Sequence, residues 1–168
     1  MQLFDPSQNE PYRSWHTHCR PVGDLWVAQI RHPGHLALDD AALVAGWSWH
    51  GDGPPLWAWD LIEEPCRANV ECLLALDGRA PIGYLRLRVT AAQVELADLV
   101  VDPDRRRQGV ASLLVAQIAL QRRLLAVVSE WNVAGQCFLR SAGFTGPTNP
   151  RATRYRFVRC PSSVVRGN

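Results

Sequence analysis

The sequence predicts an α+β domain in which helices flank a central mixed β-sheet. In the strand predicted over 82–89, the apolar residues Leu85, Leu87 and Val89 alternate with Tyr84, Arg86 and Arg88, which is typical of a strand with one buried face. Asp77 and Gly78 form a turn pair between this strand and the apolar run 70–76, so the two strands are expected to form a hairpin. The apolar run 124–128 lies between two helical segments and is typical of a central strand. Together these features predict one sheet with helices on its faces.

The other elements follow from local signals. Asp39 or Asp40 can cap a first helix, and Gly143 is placed to end the last one. The whole chain, 1–168, is expected to form a single domain. In order, the prediction is an irregular arm over 1–23, a strand over 25–30, helices over 41–47 and 56–64, strands over 70–76, 82–89 and 94–101, a helix over 109–121, a strand over 124–128, a helix over 133–142 and a strand over 154–159.

Composition and charge exclude several classes of protein. The chain is 47% hydrophobic and 20% charged, which argues against disorder, and its net charge of +2 is too small to indicate a nucleic-acid or membrane-surface partner. The five cysteines have no CxxC spacing and the five histidines no metal-ligand spacing, so neither a disulfide framework nor a metal site is expected. With no run of about 18 apolar residues and no signal-like N-terminal segment, a cytoplasmic protein is expected.

A phosphate-binding segment is predicted between the strand that ends at Val101 and the helix that follows. The first turn of a helix presents unpaired backbone N–H groups and the positive end of the helix dipole, and both favour an anion. Small residues there let phosphate oxygens approach the backbone, and arginines add charge. The alternative is an ordinary strand-to-helix turn with a basic surface. The residues concerned are Arg106, Arg107, Gln108, Gly109, Val110, Ala111 and Ser112.

This segment resembles the acetyl-CoA motif of the GNAT superfamily of N-acetyltransferases, Arg/Gln-x-x-Gly-x-Gly/Ala. The resemblance includes the preceding Val-x-Pro, here residues 101–103. A second motif of that family is similar to the segment that starts at Asn132, although Gly135 stands where the family often has Ala, and Gly143-Phe144 closes it. The resemblance covers roughly 70–145, whereas 1–65 match only in coarse layout.

The resemblance implies a GNAT-like fold in which two strands splay apart and the pantetheine arm of acetyl-CoA inserts between them. Backbone groups of the strand before the motif would pair with the arm, and amides of the motif would hold the pyrophosphate. Asn132 would contact the pantetheine or the base-proximal part of the cofactor, and Phe138 would pack against the arm. No metal is implied. The cofactor-binding residues are then Leu99, Val100, Val101, Arg106, Arg107, Gln108, Gly109, Val110, Ala111, Ser112, Asn132 and Phe138.

Catalysis in that family is direct acyl transfer to an amine, assisted by a carboxylate base and a backbone oxyanion donor. Glu95 and Asp98 are the candidate bases. In a regular strand they would face opposite sides because they are three residues apart, whereas a bulge would change that geometry. The family often places a tyrosine acid seven residues after the asparagine, but Leu139 stands there. Water, Ser141, Tyr84 or Tyr155 are the alternatives.

The acceptor is expected to be an amine of a small molecule or of a peptide. The resemblance places acceptor recognition in the first helices, where Trp57, Trp59 and Asp60 combine aromatic faces with a carboxylate that suits a cation. The alternative is that these tryptophans are core residues. A homodimer is compatible with the resemblance, because dimers are common in the family.

Three functions therefore remain open from the sequence. The leading one is an acetyl-CoA-dependent N-acetyltransferase. The second is a non-catalytic acetyl-CoA-binding regulatory module, which Leu139 favours. The third is an unrelated interaction domain whose arginines meet a partner surface.

Overall fold

Seven strands lie side by side in one sheet in the order in which they occur along the chain. The computed structural model describes residues 19–30, 38–48, 61, 67–118, 122–147 and 153–161. Neighbouring strands are antiparallel except β5 and β6, which are parallel, so the predicted mixed sheet is confirmed. The strands are β1 (Cys19–Val22), β2 (Leu25–Ile30), β3 (Val70–Asp77), β4 (Ala80–Val89), β5 (Gln93–Val101), β6 (Arg123–Ser129) and β7 (Arg154–Arg159).

Three α-helices are described, α1 (Leu38–Ser48), α2 (Val110–Ala116) and α3 (Val133–Ser141), with a 3₁₀ turn at Pro103–Arg105. None of these described helices is long and apolar enough to cross a membrane. The helix predicted over 56–64 lies outside the described residues apart from Leu61. The prediction of a helix over 109–121 was too long, because i→i−3 bonds from Gln117 to Leu114 and from Ile118 to Val115 close α2 early.

The N-terminal arm predicted over 1–23 is corrected at its end, because residues 19–22 form β1. Val22 lies opposite Leu25, so β1 and β2 form a hairpin with Gly23-Asp24 as its two-residue turn. Gly23 has a φ of 64°, which a glycine adopts without steric cost. A Gly-Asp pair between two apolar residues is a hairpin signal that could have been read from the sequence.

Each face of the sheet has its own apolar core. On one face α1 packs over β2, β3 and β4, with Val44, Trp47, Leu61 and Tyr84 buried. On the other face α2 and α3 pack over the sheet, with residues such as Leu114, Leu139 and Phe157. Both faces of β4 are covered, so Tyr84 is as inaccessible as Leu85. The alternation predicted one buried and one exposed face, whereas the two faces of β4 contact two different cores.

The close approach of α2 to the sheet depends on Gly83 in β4. A Cβ added there would lie 2.6 Å from Val110 Cγ1 and 3.2 Å from Leu114 Cδ1. We expect Gly83→Ala to lower the free energy of unfolding by about 1–3 kcal/mol, because buried overpacking forces α2 to shift. Urea unfolding measures this change.

Gly46→Ala is the matched control for Gly83→Ala. Gly46 lies on the exposed side of α1, with no atom within 4 Å of an added Cβ. Its replacement should raise the stability by about 0.5–1 kcal/mol, since glycine weakens a helix interior. A Gly83→Ala variant as stable as wild type would contradict the close packing of α2.

Candidate active site

β5 and β6 pair only at their beginnings. The parallel ladder joins Gln93–Leu96 to Arg123–Ala126, and no pairing between the two strands is described beyond it. Residues 97–101 and 127–129 therefore form the two sides of a gap that opens toward the carboxyl ends of both strands. We call this gap the slot. Its walls carry backbone groups that are free to bind an extended ligand as an added strand.

A β-bulge lies where the parallel ladder ends. Leu96 is opposite Leu87 on β4, but the next partner of β4, Arg86, is opposite Asp98, so Ala97 is the extra residue. The bulge is visible in the sequence, because the core-facing apolar residues shift from even-numbered to odd-numbered positions. The residues facing the α2–α3 core are Val94 and Leu96 before the bulge and Leu99 and Val101 after it.

The bulge decides which backbone groups of β5 face the slot. The Asp102 N–H donates to Ile82 O at 3.1 Å, so it points toward β4. Antiparallel pairs alternate between bonded and non-bonded positions, and Val100 therefore also points toward β4. Leu99 and Val101 turn their N–H groups the other way, into the slot. Of the three residues predicted to pair with the arm, two have this orientation, while the Val100 side chain lies on the α1 side.

The predicted phosphate-binding segment follows β5 directly and leads into α2. Asp102 caps the 3₁₀ turn by accepting from the Asp104 N–H at 3.0 Å. Arg105 contacts Asp77, the last residue of β3, at 2.8 Å, which ties the segment to the sheet. Asp77 lies opposite Ala80, so the two-residue turn is Gly78-Arg79 and the predicted turn pair Asp77-Gly78 is corrected by one residue. Arg106 Nε donates to Val101 O at 3.4 Å, and Gln108 Nε2 donates to Asp104 O at 3.0 Å.

Two residues of this segment have left-handed backbone conformations, Arg107 with φ 64° and Gly109 with φ 85°. Gly109 caps α2, and the first backbone bond at this helix start runs from the Leu113 N–H to Gly109 O at 2.9 Å. The N–H groups of Val110, Ala111 and Ser112 have no partner within the helix. Left-handed residues next to N–H groups without a helical partner form a concave backbone segment of the kind that suits an anion, and we call it the cradle (residues 106–112).

The two candidate carboxylates lie on the same face of the sheet because of the bulge. Glu95 is opposite Arg88 and Asp98 is opposite Arg86, and these two arginines share one face of β4. Arg86 Nε and its guanidinium NH₂ both contact Asp98 Oδ2, and the two side chains are 11% and 23% exposed. Among the described residues, half-buried Glu95 has neither an ion pair nor a side-chain hydrogen bond. Sequence reasoning missed Arg86 as part of this site.

Asn132 lies at the start of α3, on the opposite side of the slot from the cradle. Its Oδ1 accepts from the Gly135 N–H at 2.6 Å, so the side chain caps the helix. A Cβ at residue 135 would lie 2.7 Å from that oxygen, which accounts for the glycine at this position. No hydrogen bond of the Asn132 amide Nδ2 to another described residue is present. Phe138 is half-buried against the α2–α3 core.

The side chains that could protonate a leaving group differ in their surroundings. Leu139 is 3% exposed and belongs to the α2–α3 core. Tyr84 is buried on the α1 face with its hydroxyl 3.1 Å from Cys72 Sγ. Burial, and to a lesser extent Cys72, raises the pKa of Tyr84 well above its ordinary value. Ser141 Oγ donates to Phe138 O at 2.7 Å, and Tyr155 lies half-buried on β7 opposite Val128 of the slot wall.

Trp57, Trp59 and Asp60, which were predicted to contact the acceptor, lie outside the described residues. Trp47 is 7% exposed and packs in the α1 core, as expected for a structural tryptophan.

Comparison with protein-family models gives one match, in which the acetyltransferase (GNAT) domain covers residues 68–146. The matched segment contains the slot, the cradle and α3. Residues 68–146 are thus similar to a GNAT acetyltransferase domain. The resemblance found in the sequence is thereby confirmed. A search of curated protein sequences gives no significant match.

Solved structures show the same fold at low sequence identity. The ribosomal-protein-S18-alanine N-acetyltransferase from Escherichia coli is 15% identical with a TM-score of 0.59, covering 84% of this chain and 98% of that enzyme. An acetyltransferase from Thermus thermophilus is 21% identical with a TM-score of 0.61, covering 80% and 96%. The PaiA N-acetyltransferase from Thermoplasma acidophilum, in complex with coenzyme A, is 18% identical with a TM-score of 0.59, covering 80% and 98%.

Substitution can test the capping role of the Asn132 side-chain oxygen separately from any role of its amide nitrogen. Asn132→Ala should destabilise the protein by about 1 kcal/mol, because the Gly135 N–H loses its acceptor. Asn132→Asp keeps an acceptor oxygen and should stay close to wild type in urea unfolding. If both variants lose the same stability, the cap contributes nothing beyond the shape of the side chain.

Proposed function

We propose that this protein is an N-acetyltransferase that moves the acetyl group of acetyl-CoA directly to an amine. The observation that carries the proposal is the slot, whose β5 wall turns the N–H groups of Leu99 and Val101 toward a ligand and leads straight into the cradle. An extended arm with an anion at one end fits both parts at once. The acceptor is an amine of a small molecule or of a peptide.

The residues of the slot and the cradle fit the two ends of acetyl-CoA. Leu99 and Val101 offer backbone groups to the amides of the pantetheine arm, as one strand does to another. The N–H groups at the start of α2 and the guanidinium groups of Arg106 and Arg107 hold the pyrophosphate. Asn132 donates its remaining amide from the other wall. Bound acetyl-CoA supplies a thioester carbonyl as the acyl donor.

The chemistry then needs a base and an oxyanion donor at the closed end of the slot. The amine nitrogen forms a bond to the carbonyl carbon, the C–S bond breaks, and the amine proton passes to a base. The Leu99 N–H is the backbone donor next to the bulge and stabilises the oxyanion. Glu95 is the base, because Asp98 is already engaged by Arg86 while Glu95 has no partner among the described residues.

Departure of the thiolate does not depend on the position where the family often has tyrosine. A thiol has a pKa of about 8.5, so the thiolate leaves readily with a proton from water. Tyr155 is the available phenol on the α2–α3 face, since the Tyr84 hydroxyl is engaged with Cys72 on the opposite face. A non-catalytic acetyl-CoA-binding module is the second candidate function, and buried Leu139 is the observation that favours it.

Acetyl-CoA binding measured by calorimetry tests the cradle. Arg107→Gly and Arg107→Val both remove the guanidinium group, but only valine resists the left-handed φ of 64°. The valine variant should bind about tenfold more weakly than the glycine variant, because a β-branched residue in this conformation costs about 1–2 kcal/mol. Equal affinities of the two variants would show that the left-handed backbone at Arg107 does not contribute to binding. Absence of acetyl-CoA binding to the wild-type protein would refute the proposed function.

Release of free thiol from acetyl-CoA in the presence of a panel of amines separates an enzyme from a binder. Glu95→Gln should lower kcat by about 10²–10⁴-fold, with acetyl-CoA affinity unchanged, because a general base is lost. Glu71→Gln changes an exposed carboxylate on β3 and serves as the control. Binding without thiol release for any amine would favour the regulatory module.

A further inference from the structure

The ion pair of Arg86 and Asp98 lies at the bulge of β5. The register jumps there, so that Arg86 faces the position occupied by Ala97 and Asp98 together. Arg86 contacts Asp98 Oδ2 through two nitrogens, and both side chains are largely buried on the α1 face. Removing one member of such a pair leaves a partly desolvated charge without compensation, so the pair constrains where Asp98 can lie.

The position of Asp98 is coupled to the direction of every backbone group that follows it. A strand that slips by one residue exchanges its two faces and its two edges. Without the extra residue, Asp98 would point into the α2–α3 core, where Leu99 now packs. The N–H groups facing the slot would then belong to Asp98 and Val100 instead of Leu99 and Val101. The bulge therefore selects the amides that meet a ligand.

We propose that Arg86 is a positioning residue of this site, which holds Asp98 on the α1 face and thereby fixes the bulge at Ala97. The pair sets the register of residues 98–101, and it leaves Glu95 as the carboxylate free to act as base. The catalytic consequence rests on the proposed function, whereas the effect on register is a property of the free protein. Asp98 is accordingly part of the support of the site and not the base.

Apolar packing sets the size of the expected effect. Leu96 and Leu99 both contact the α2–α3 core only in the bulged register, and Val100 contacts the α1 core. These contacts favour the same register as the ion pair. Loss of the pair is therefore expected to let residues 97–101 exchange between registers more often, without unfolding the sheet.

Amide hydrogen exchange in the free protein tests the register directly. In wild type the Val100 amide, which points toward β4, should exchange slowly, and the Leu99 and Val101 amides should exchange fast. In Arg86→Gln the protection of Val100 should fall by about tenfold or more, while Ala75 in β3 keeps its protection, because opening is local. Unchanged protection of Val100 would overturn the proposal.

The double variant Arg86→Gln/Asp98→Asn covers the case in which a stranded charge unfolds the single variants. It removes both charges of this ion pair together, so neither member strands the other, and it should fold and still show the loss of Val100 protection. If the double variant has wild-type protection at Val100, the ion pair does not set the register.

Steady-state kinetics distinguish a positioning role of the Arg86–Asp98 pair from a direct catalytic role of Asp98. Arg86→Gln, Asp98→Asn and the double variant should lose the same factor in kcat, about 10–10²-fold, because all three misplace one backbone donor. Arg86→Lys should restore part of the rate. A kcat lowered by about 10²–10⁴-fold in Asp98→Asn but not in Arg86→Gln would make Asp98 the base and overturn the proposal. If wild type shows no acetyl transfer, the proposed function fails, and hydrogen exchange still decides the register.

Discussion

The extra residue in β5, Ala97, decides which side chains and which backbone groups of this strand face the site. Before the bulge, β5 is an interior strand paired on both sides; after it, the strand has a single partner. The same residue brings Glu95 and Asp98 to one face and turns Leu99 and Val101 toward the slot. A sheet without this insertion would have the same strands in the same order, but its carboxylates and amides would not converge.

The slot and the cradle meet because of strand direction. β5 and β6 are parallel, so their carboxyl ends lie at the same edge of the sheet, and the segments that follow them begin there. One strand leads through the 3₁₀ turn to the cradle and α2, and the other leads to Asn132 and α3. Gly83 lets α2 approach β4 closely, and this packing sets the distance between the cradle and the sheet.

The departures from the family pattern have local physical explanations. Gly135 replaces an alanine where a Cβ would meet the Asn132 side chain that caps α3. Leu139 replaces a tyrosine and contributes to the α2–α3 core instead of to the slot. The acid–base chemistry of the proposed reaction therefore relies on the α1 face, where Glu95 lies, and on the acidity of the thiol itself.

The sequence by itself determined strands β2 to β7, the hairpin of β3 and β4, the helix end at Gly143 and the segment of the cradle, because each depends on local periodicity or turn chemistry. The structure added β1 and placed the turn of the β3–β4 hairpin at Gly78-Arg79 instead of Asp77-Gly78. The shift of the core-facing apolar positions from Leu96 to Leu99 is also visible in the sequence and indicates the bulge, although a bulge exists only relative to a partner strand. The tertiary structure alone decided the limited pairing of β5 and β6, the ion pair of Arg86 with Asp98 and the choice of Leu99 and Val101 as slot-facing amides. These features join residues far apart along the chain, and no local pattern specifies such contacts.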